Sequence, residues 1–339
     1  MLLRVLCVLL PFTAAFTMSG MARIPSATMR AAPRIVMSGM QGRRQFVTAV
    51  SASSMLSAVS LPAFASDAPV LVLGASGGTG FECVKYLLQQ KRPCIAATRT
   101  GQLEGVASSP LLTVTRGDVT SIESMAGLIQ SKKLGGVIYA ASASRQPDAK
   151  KQSNAKAVDQ KGVVECAKLC IAAEVPRLVL VSSGGVSKPS SAVYIFLNLA
   201  ANGIMDAKIS GENELRRLYA QPGLAQKNVG YTVVRPGGLT KDPPLGVAAV
   251  ELNQGDTKSG RIARSDVAAV CIESLASPAA FDTTFECYYG DTAKELDAVM
   301  ASNAKGIATG TKEATDAMSG KERRADSWPK LFEGLEQDV

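Results

Sequence analysis

The chain of 339 residues contains no histidine. That absence removes Ser-His-Asp triads, Cys-His nucleophile pairs, His-ligated metals and imidazole proton relays. Acidic residues are missing altogether from positions 1–65, which carry six arginines (Arg4, Arg23, Arg30, Arg34, Arg43, Arg44) and no lysine. Setting those six aside leaves 31 basic residues against 29 acidic ones. The basicity therefore belongs to the first 65 residues, and a nucleic-acid partner loses its main support. The six cysteines beyond that point (Cys83, Cys94, Cys166, Cys170, Cys271, Cys287) form no CxxC and no dense framework, so buried thiols are expected. Cys166 and Cys170 could share a helix face, but a disulfide there needs geometry that helices rarely supply.

What those first 65 residues do contain is three signals in succession. Met1–Ala15 places Arg4 before the apolar core Val5–Leu10 and the small pair Ala14-Ala15, as a secretory signal does. The stretch is too short to span a membrane. Phe16–Gly42 is rich in Ser, Ala, Met and Arg, which is transit-peptide composition. Arg43-Arg44-Gln45-Phe46-Val47 then precedes a mildly apolar segment ending Ala63-Phe64-Ala65, similar to a twin-arginine export signal. The arrangement resembles leaders of proteins sent into plastids bounded by extra membranes; the alternative is a disordered terminus with two fortuitous apolar patches. The expectation is a cleavable leader over 1–65 and a plastid (chloroplast) destination, stroma or thylakoid left open, with no transmembrane span in the mature chain.

From residue 66 onward apolar runs alternate with helix-length segments, the pattern of βαβ units and a parallel sheet. Strands are expected at Val70–Leu73, Cys94–Thr98, Leu111–Thr115, Gly136–Ala140, Arg177–Val181, Tyr231–Val234 and Thr284–Cys287. Helices are expected at Thr79–Gln90, Ile122–Ser131, Lys156–Ala173, Asp206–Ala220 and Ser265–Ala276. The fold class is thus α/β, a doubly wound parallel sheet in a single domain over 66–290, with a small substrate-side segment at Leu239–Ser265. Residues 291–339 read as a linker and an amphipathic helix, with Trp328, Leu331, Phe332 and Leu335 on one stripe. That stripe is expected to strap its own domain rather than dock a partner.

Val70-Leu71-Val72-Leu73 runs into Gly74-Ala75-Ser76-Gly77-Gly78-Thr79-Gly80, and a helix follows at once. A dinucleotide diphosphate site requires that order. Gly74 allows the tight exit from the strand, Gly77 lets the backbone approach the phosphates, and Gly80 lets helix and strand pack closely. Backbone groups of Ser76, Gly78 and Thr79 complete the cradle at the positive end of the helix dipole. The second strand ends Thr98-Arg99 with no acid, so a guanidinium stands where a ribose-binding acid would repel a 2′-phosphate. NADP is favoured over NAD, against the alternative of a solvated arginine. Asp118 is a candidate partner of the adenine amino group, or a cap for the next helix. Ala140 and Ala141 allow close approach at the end of the fourth strand.

These segments, with Leu180-Val181-Ser182-Ser183, Val234-Arg235-Pro236-Gly237-Gly238, Arg264-Ser265-Asp266-Val267-Ala268 and Thr284-Phe285-Glu286, occur in the order seen in atypical short-chain dehydrogenase/reductases. The chain resembles their NAD(P)-binding, NmrA-like members over about residues 69–290. The resemblance implies a Rossmann fold, with Pro236 and Gly237 beside the nicotinamide and backbone amides there meeting its carboxamide. It implies Ser182 or Ser183 as the carbonyl-orienting serine and Lys208 as the ribose-binding lysine. Ile204 stands four residues before Lys208, where the family's acid/base tyrosine belongs. Tyr194 is fourteen residues away and could return only through a chain break near Asn202-Gly203. Arg235 is expected to make a structural ion pair. Two activities stay open: an NADP(H)-dependent reductase of a small plastid metabolite, and a non-catalytic NADP(H) sensor or complex-associated module, including association with a membrane complex.

Overall fold

The computed structural model describes residues 67–143, 154–296 and 321–338. The leader (1–65) and most of the linker lie outside the described residues. Val70–Leu73 (β1), Cys94–Thr98 (β2), Leu112–Arg116 (β3), Gly136–Tyr139 (β4), Arg177–Val181 (β5) and Gly230–Pro236 (β6) are parallel strands. Further along come Gly238–Thr240 (β7), Val250–Asn253 (β8), Lys258–Ser259 (β9), Arg261–Ala263 (β10), Thr283–Tyr289 (β11), Lys294–Glu295 (β12) and Arg323–Arg324 (β13). The main sheet runs β13-β8-β11-β6-β5-β4-β1-β2-β3, parallel from β11 to β3 and antiparallel at β8 and β13. Strand order reverses at β1, which lies between β2 and β4, and in such sheets ligands bind outside the carboxyl ends at that reversal.

Side-chain alternation along each strand builds two cores. Val70, Val72, Ala96, Ile138 and Val179 face one side, under Gly78–Gln89 (α1) and Arg264–Ala276 (α6). Leu71, Leu73, Ala97, Val137 and Leu178 face the other, under Ile122–Ile129 (α2), Val163–Ala172 (α3) and Ile204–Tyr219 (α5). The sheet is therefore doubly wound, as the near-continuous apolar strands require.

Three elements depart from the sequence reading. The helix expected over 156–173 is a π-helical turn at Lys156–Gly162 followed by α3. A Cβ at Gly162 would meet the Tyr139 hydroxyl at 2.5 Å and the Val119 carbonyl at 2.8 Å, so the widened turn accommodates a close approach. Ala192–Ala200 forms a helix (α4) capped by Ser191, whose hydroxyl accepts from the Tyr194 amide at 3.2 Å. Its uniform apolarity hid it from a search for one-sided stripes. The segment Leu239–Ser265 does not act as one wall: β7 and β10 pair with each other, whereas β8 is a buried strand of the main sheet. Val250 and Leu252 supply the apolar alternation that places it there.

The C-terminal stripe forms a short helix, Trp328–Phe332 (α7), stopped at Gly334 with φ +74°. Leu331 and Phe332 are fully buried against the core that holds Phe285, whose ring centroid lies 5.9 Å from that of Phe332. Asp338 accepts from Thr284 at 2.6 Å and Tyr231 at 2.8 Å. The tail is a strap on its own domain.

Candidate functional site

Gly74 leaves β1 with φ +81°, and a Cβ there would stand 2.7 Å from the Ala141 backbone. The glycine loop is thus pressed against the end of β4, where the Ala140 amide donates to the Leu73 carbonyl at 3.0 Å. A Cβ at Gly80 would stand 2.3 Å from the Gly74 carbonyl, so α1 packs on its strand only with glycine there. Gly77 is the N-cap of α1; no side chain caps the helix, and no acid stands in its first turn. Ser76, Gly77 and Gly78 are exposed, leaving first-turn amides open to an incoming anion. A dinucleotide diphosphate fits this uncapped cradle.

Arg99 is exposed just after β2, with Arg116 exposed in register on β3 through the Thr98–Arg116 pair. Both guanidiniums act on Asp118. Its carboxyl is held below the usual carboxylate range by the Thr120 amide at 2.8 Å first, against partial burial, then by the Thr120 hydroxyl, Arg99 and Arg116. Asp118 thereby closes the turn into α2, while Ser121 is the actual cap.

A narrow crevice at the carboxyl ends of β4 and β5 is lined by Ala141, Asp159, Val181, Ser182 and Lys208, among others. Lys208 Nζ forms an ion pair with Asp159 Oδ1 at 2.9 Å; the Asp159 side chain is 1% exposed. Asp159 also accepts from the Ser142 hydroxyl at 2.7 Å and the Ala143 amide at 2.9 Å. One carboxylate thus ties the β4 exit to α5. Sequence reasoning missed it, although an acid at helical spacing from Ala155 and Gly162, on the buried face of this segment, was a usable signal.

Ser182 lines this crevice but spends its hydrogen inside the fold. Its hydroxyl donates to Glu212 at 2.5 Å, and Glu212 binds Arg235 at 2.6 Å and Arg216 at 2.7 Å. Ser183 donates to the Gly184 carbonyl at 3.2 Å. Arg235 spans Glu212 and, at 3.1 Å, Glu286, as its expected structural role required. Burial would raise the Glu212 carboxyl, yet Arg235, with Arg216 and Ser182, holds it below its ordinary range. Glu286 receives one Arg235 contact only, and burial followed by Asp256 pushes it up to about 7. The Gly237 amide donates to Cys287 and the Gly238 amide to Gly260. The amide role expected of the Pro236-Gly237 turn therefore falls away, because those donors are spent inside the fold, and a Cβ at Gly237 would meet the Gly260 carbonyl at 2.3 Å.

Ile204 is buried at the start of α5, beside Tyr194. The chain break does occur, with Asn202 at φ +49° and Gly203 at φ +79°. It folds α4 back so that the Tyr194 hydroxyl donates to Asp206. Burial first, and then Asp206, push that phenol up to about 12, opposite to what a neutral-pH acid needs.

Arg264 opens α6 and lies against the glycine loop. A Cβ on Gly78 would meet its Nε at 2.7 Å and Cδ at 2.8 Å, and its Nη1 donates to the Thr240 carbonyl at 2.9 Å. Asp266 accepts from the Leu245 and Gly246 amides and the Tyr289 hydroxyl, anchoring the loop that follows β7.

Residues 74–278 match the family model for NAD(P)H-binding proteins. The chain belongs to the NAD(P)H-binding family. A nicotinamide dinucleotide is accordingly its cofactor class, and the resemblance to atypical short-chain dehydrogenase/reductases agrees with that membership. An uncharacterised chloroplastic protein of Arabidopsis thaliana is 30% identical over 216 residues, 61% of this chain and 71% of that protein. The chloroplastic protein high chlorophyll fluorescence phenotype 173, also of Arabidopsis thaliana, is 35% identical over 83 residues, 24% of this chain and 12% of its own length. An oxidoreductase from Lactococcus lactis shares the fold with TM-score 0.53 and 19% identity, covering 74% of this chain and all of that one. A Bordetella bronchiseptica enzyme in complex with NAD does so with TM-score 0.50 and 17% identity, covering 80% and 94%. Among the described residues, no helix is long and apolar enough to cross a membrane.

Proposed function

We propose that this chain is an NADP(H)-preferring reductase of a small plastid metabolite, working without a tyrosine acid. The observation that carries the cofactor choice is the pair Arg99 and Arg116 at the ends of β2 and β3, with no acid closing β2. Two guanidiniums there suit a ribose 2′-phosphate. The glycine loop, Ala140 and Ala141 would hold the diphosphate side and Asp118 the adenine edge, with Pro236-Gly237 beside the nicotinamide end. Bound there, the nicotinamide would supply a hydride. The Lys208–Asp159 pair would set the ribose end of the crevice, and the proton would come from water or the substrate, since Tyr194 is held by Asp206. Plastid location is supported by the leader signals and by the chloroplastic relatives.

One observation favours a second reading, an NADP(H) sensor or complex-bound module: Ser182 spends its hydrogen on Glu212, and Tyr194 spends its own on Asp206. Stopped-flow mixing of the NADPH-loaded protein with quinone and tetrapyrrole acceptors separates the two. Oxidation of NADPH with any acceptor supports the reductase; tight binding with no oxidation across the panel supports the sensor.

A further inference from the structure

Arg264 lies 186 positions after Gly78 in the chain yet touches the first residue of α1. We infer that Arg264 is a diphosphate-binding residue, a cation delivered to the glycine loop by the opening of α6. Three observations converge on it. The side chain is fixed: its stem fills the space a Gly78 side chain would occupy, and Nη1 is tethered to the Thr240 carbonyl. Its position is also fixed by topology. Like α1, α6 leaves the carboxyl edge of the sheet, since it runs from β10 into β11, which is parallel to β6. The two helices pack side by side with their N-termini at that edge, and neither is capped by a side chain.

The third observation is its charge. Among the described residues no carboxylate forms an ion pair with Arg264, and Nη1 to Thr240 is the hydrogen bond its guanidinium makes. The nearest acid in sequence, Asp266, spends its oxygens on Leu245, Gly246 and Tyr289. A guanidinium held against an uncapped helix start, with donors to spare, is matched by an anion of two or more negative charges bridging both sides. The glycine at position 78 follows from the same arrangement: a larger residue would push the arginine off the loop. The inference rests on dinucleotide binding but not on the preference for NADP.

The test compares the full chain with Arg264→Met, Arg264→Ala and Arg264→Lys by fluorescence titration with NADPH and with NADH, alongside thermal unfolding. Methionine keeps an apolar stem against Gly78 while removing the charge. Arg264→Met and Arg264→Ala are expected to weaken both coenzymes equally, by about ten- to a hundredfold, the usual worth of a charge-assisted bond. Arg264→Lys should recover part of that loss, and the NADPH-to-NADH ratio should not move. Wild-type affinity in Arg264→Met would overturn the inference and leave Arg264 as a strut between Thr240 and α1. A loss confined to NADPH would overturn it too, placing the residue at the 2′-phosphate. Binding of neither coenzyme by the unaltered protein would refute the cofactor reading as well, which sets that failure apart from the failure of Arg264 alone.

Discussion

Arg99 is exposed and unhindered, and its removal has no packing cost to confuse the outcome. Arg99→Ala should cut NADPH affinity by roughly ten- to a hundredfold while leaving NADH nearly unchanged, the worth of about 1.5–3 kcal/mol for a charged bond. Equal affinities in the unaltered protein would remove the role given to this residue. Lys208 is different, because it is paired in a buried crevice. Lys208→Ala leaves Asp159 with its charge and no counter-ion, a loss of about 3–5 kcal/mol. Adding Asp159→Asn to it should restore much of the stability but not the cofactor affinity. Restoration of both would make Lys208 a structural partner only.

At the scale of elements, β1, β2 and β5 were legible because each is a short apolar run bounded by turn residues, and α1 because glycines announce its start. The π turn, α4 and β8 were not. The first depends on clearance between Gly162 and Tyr139, the second has no polar face to set its period, and the third pairs across chain reversals that local pattern does not encode. The glycine cradle was readable for the same local reason as α1. The partners in the ion networks were not: Arg235 reads as one half of an ion pair, but it meets Glu286 51 positions away, and Ser182 meets Glu212 30 away. Glu286 gives that network a pH signature. Its carboxyl sits near 7 in the folded chain against an ordinary value of 4.5, so the folded state binds its proton more tightly. The resulting stability is fully present below about pH 4.5 and is lost as pH rises through about 7, of order a few kcal/mol in all. Glu286→Gln should flatten chemical-denaturation stability across that window; an unchanged slope would assign it to another group.

For the whole molecule, the C-terminal strap decides whether the domain boundary belongs at 290. Phe332 fills the core beside Phe285, and Lys258 pairs with Glu322 at 2.7 Å in a buried contact. Phe332→Ala should therefore cost about 3–5 kcal/mol by denaturant unfolding. A loss below about 1 kcal/mol would show that the tail is an appendage. The strap also covers the β8 edge, which would otherwise present an open ladder to other chains.

The diphosphate cradle is tested most directly by calorimetric titration of NADPH into the unaltered protein and into Gly77→Asp. Aspartate is a favourable N-cap, and its Cβ would stand 3.2 Å from the Gly74 carbonyl, so thermal unfolding of the variant accompanies the titration; in the folded variant the carboxylate occupies the first-turn amides and repels the coenzyme. Saturable one-to-one heat in the unaltered protein, abolished in the folded variant, is the result expected. Equal heats from both proteins, or none from the unaltered one, would contradict a coenzyme seated at the opening of α1.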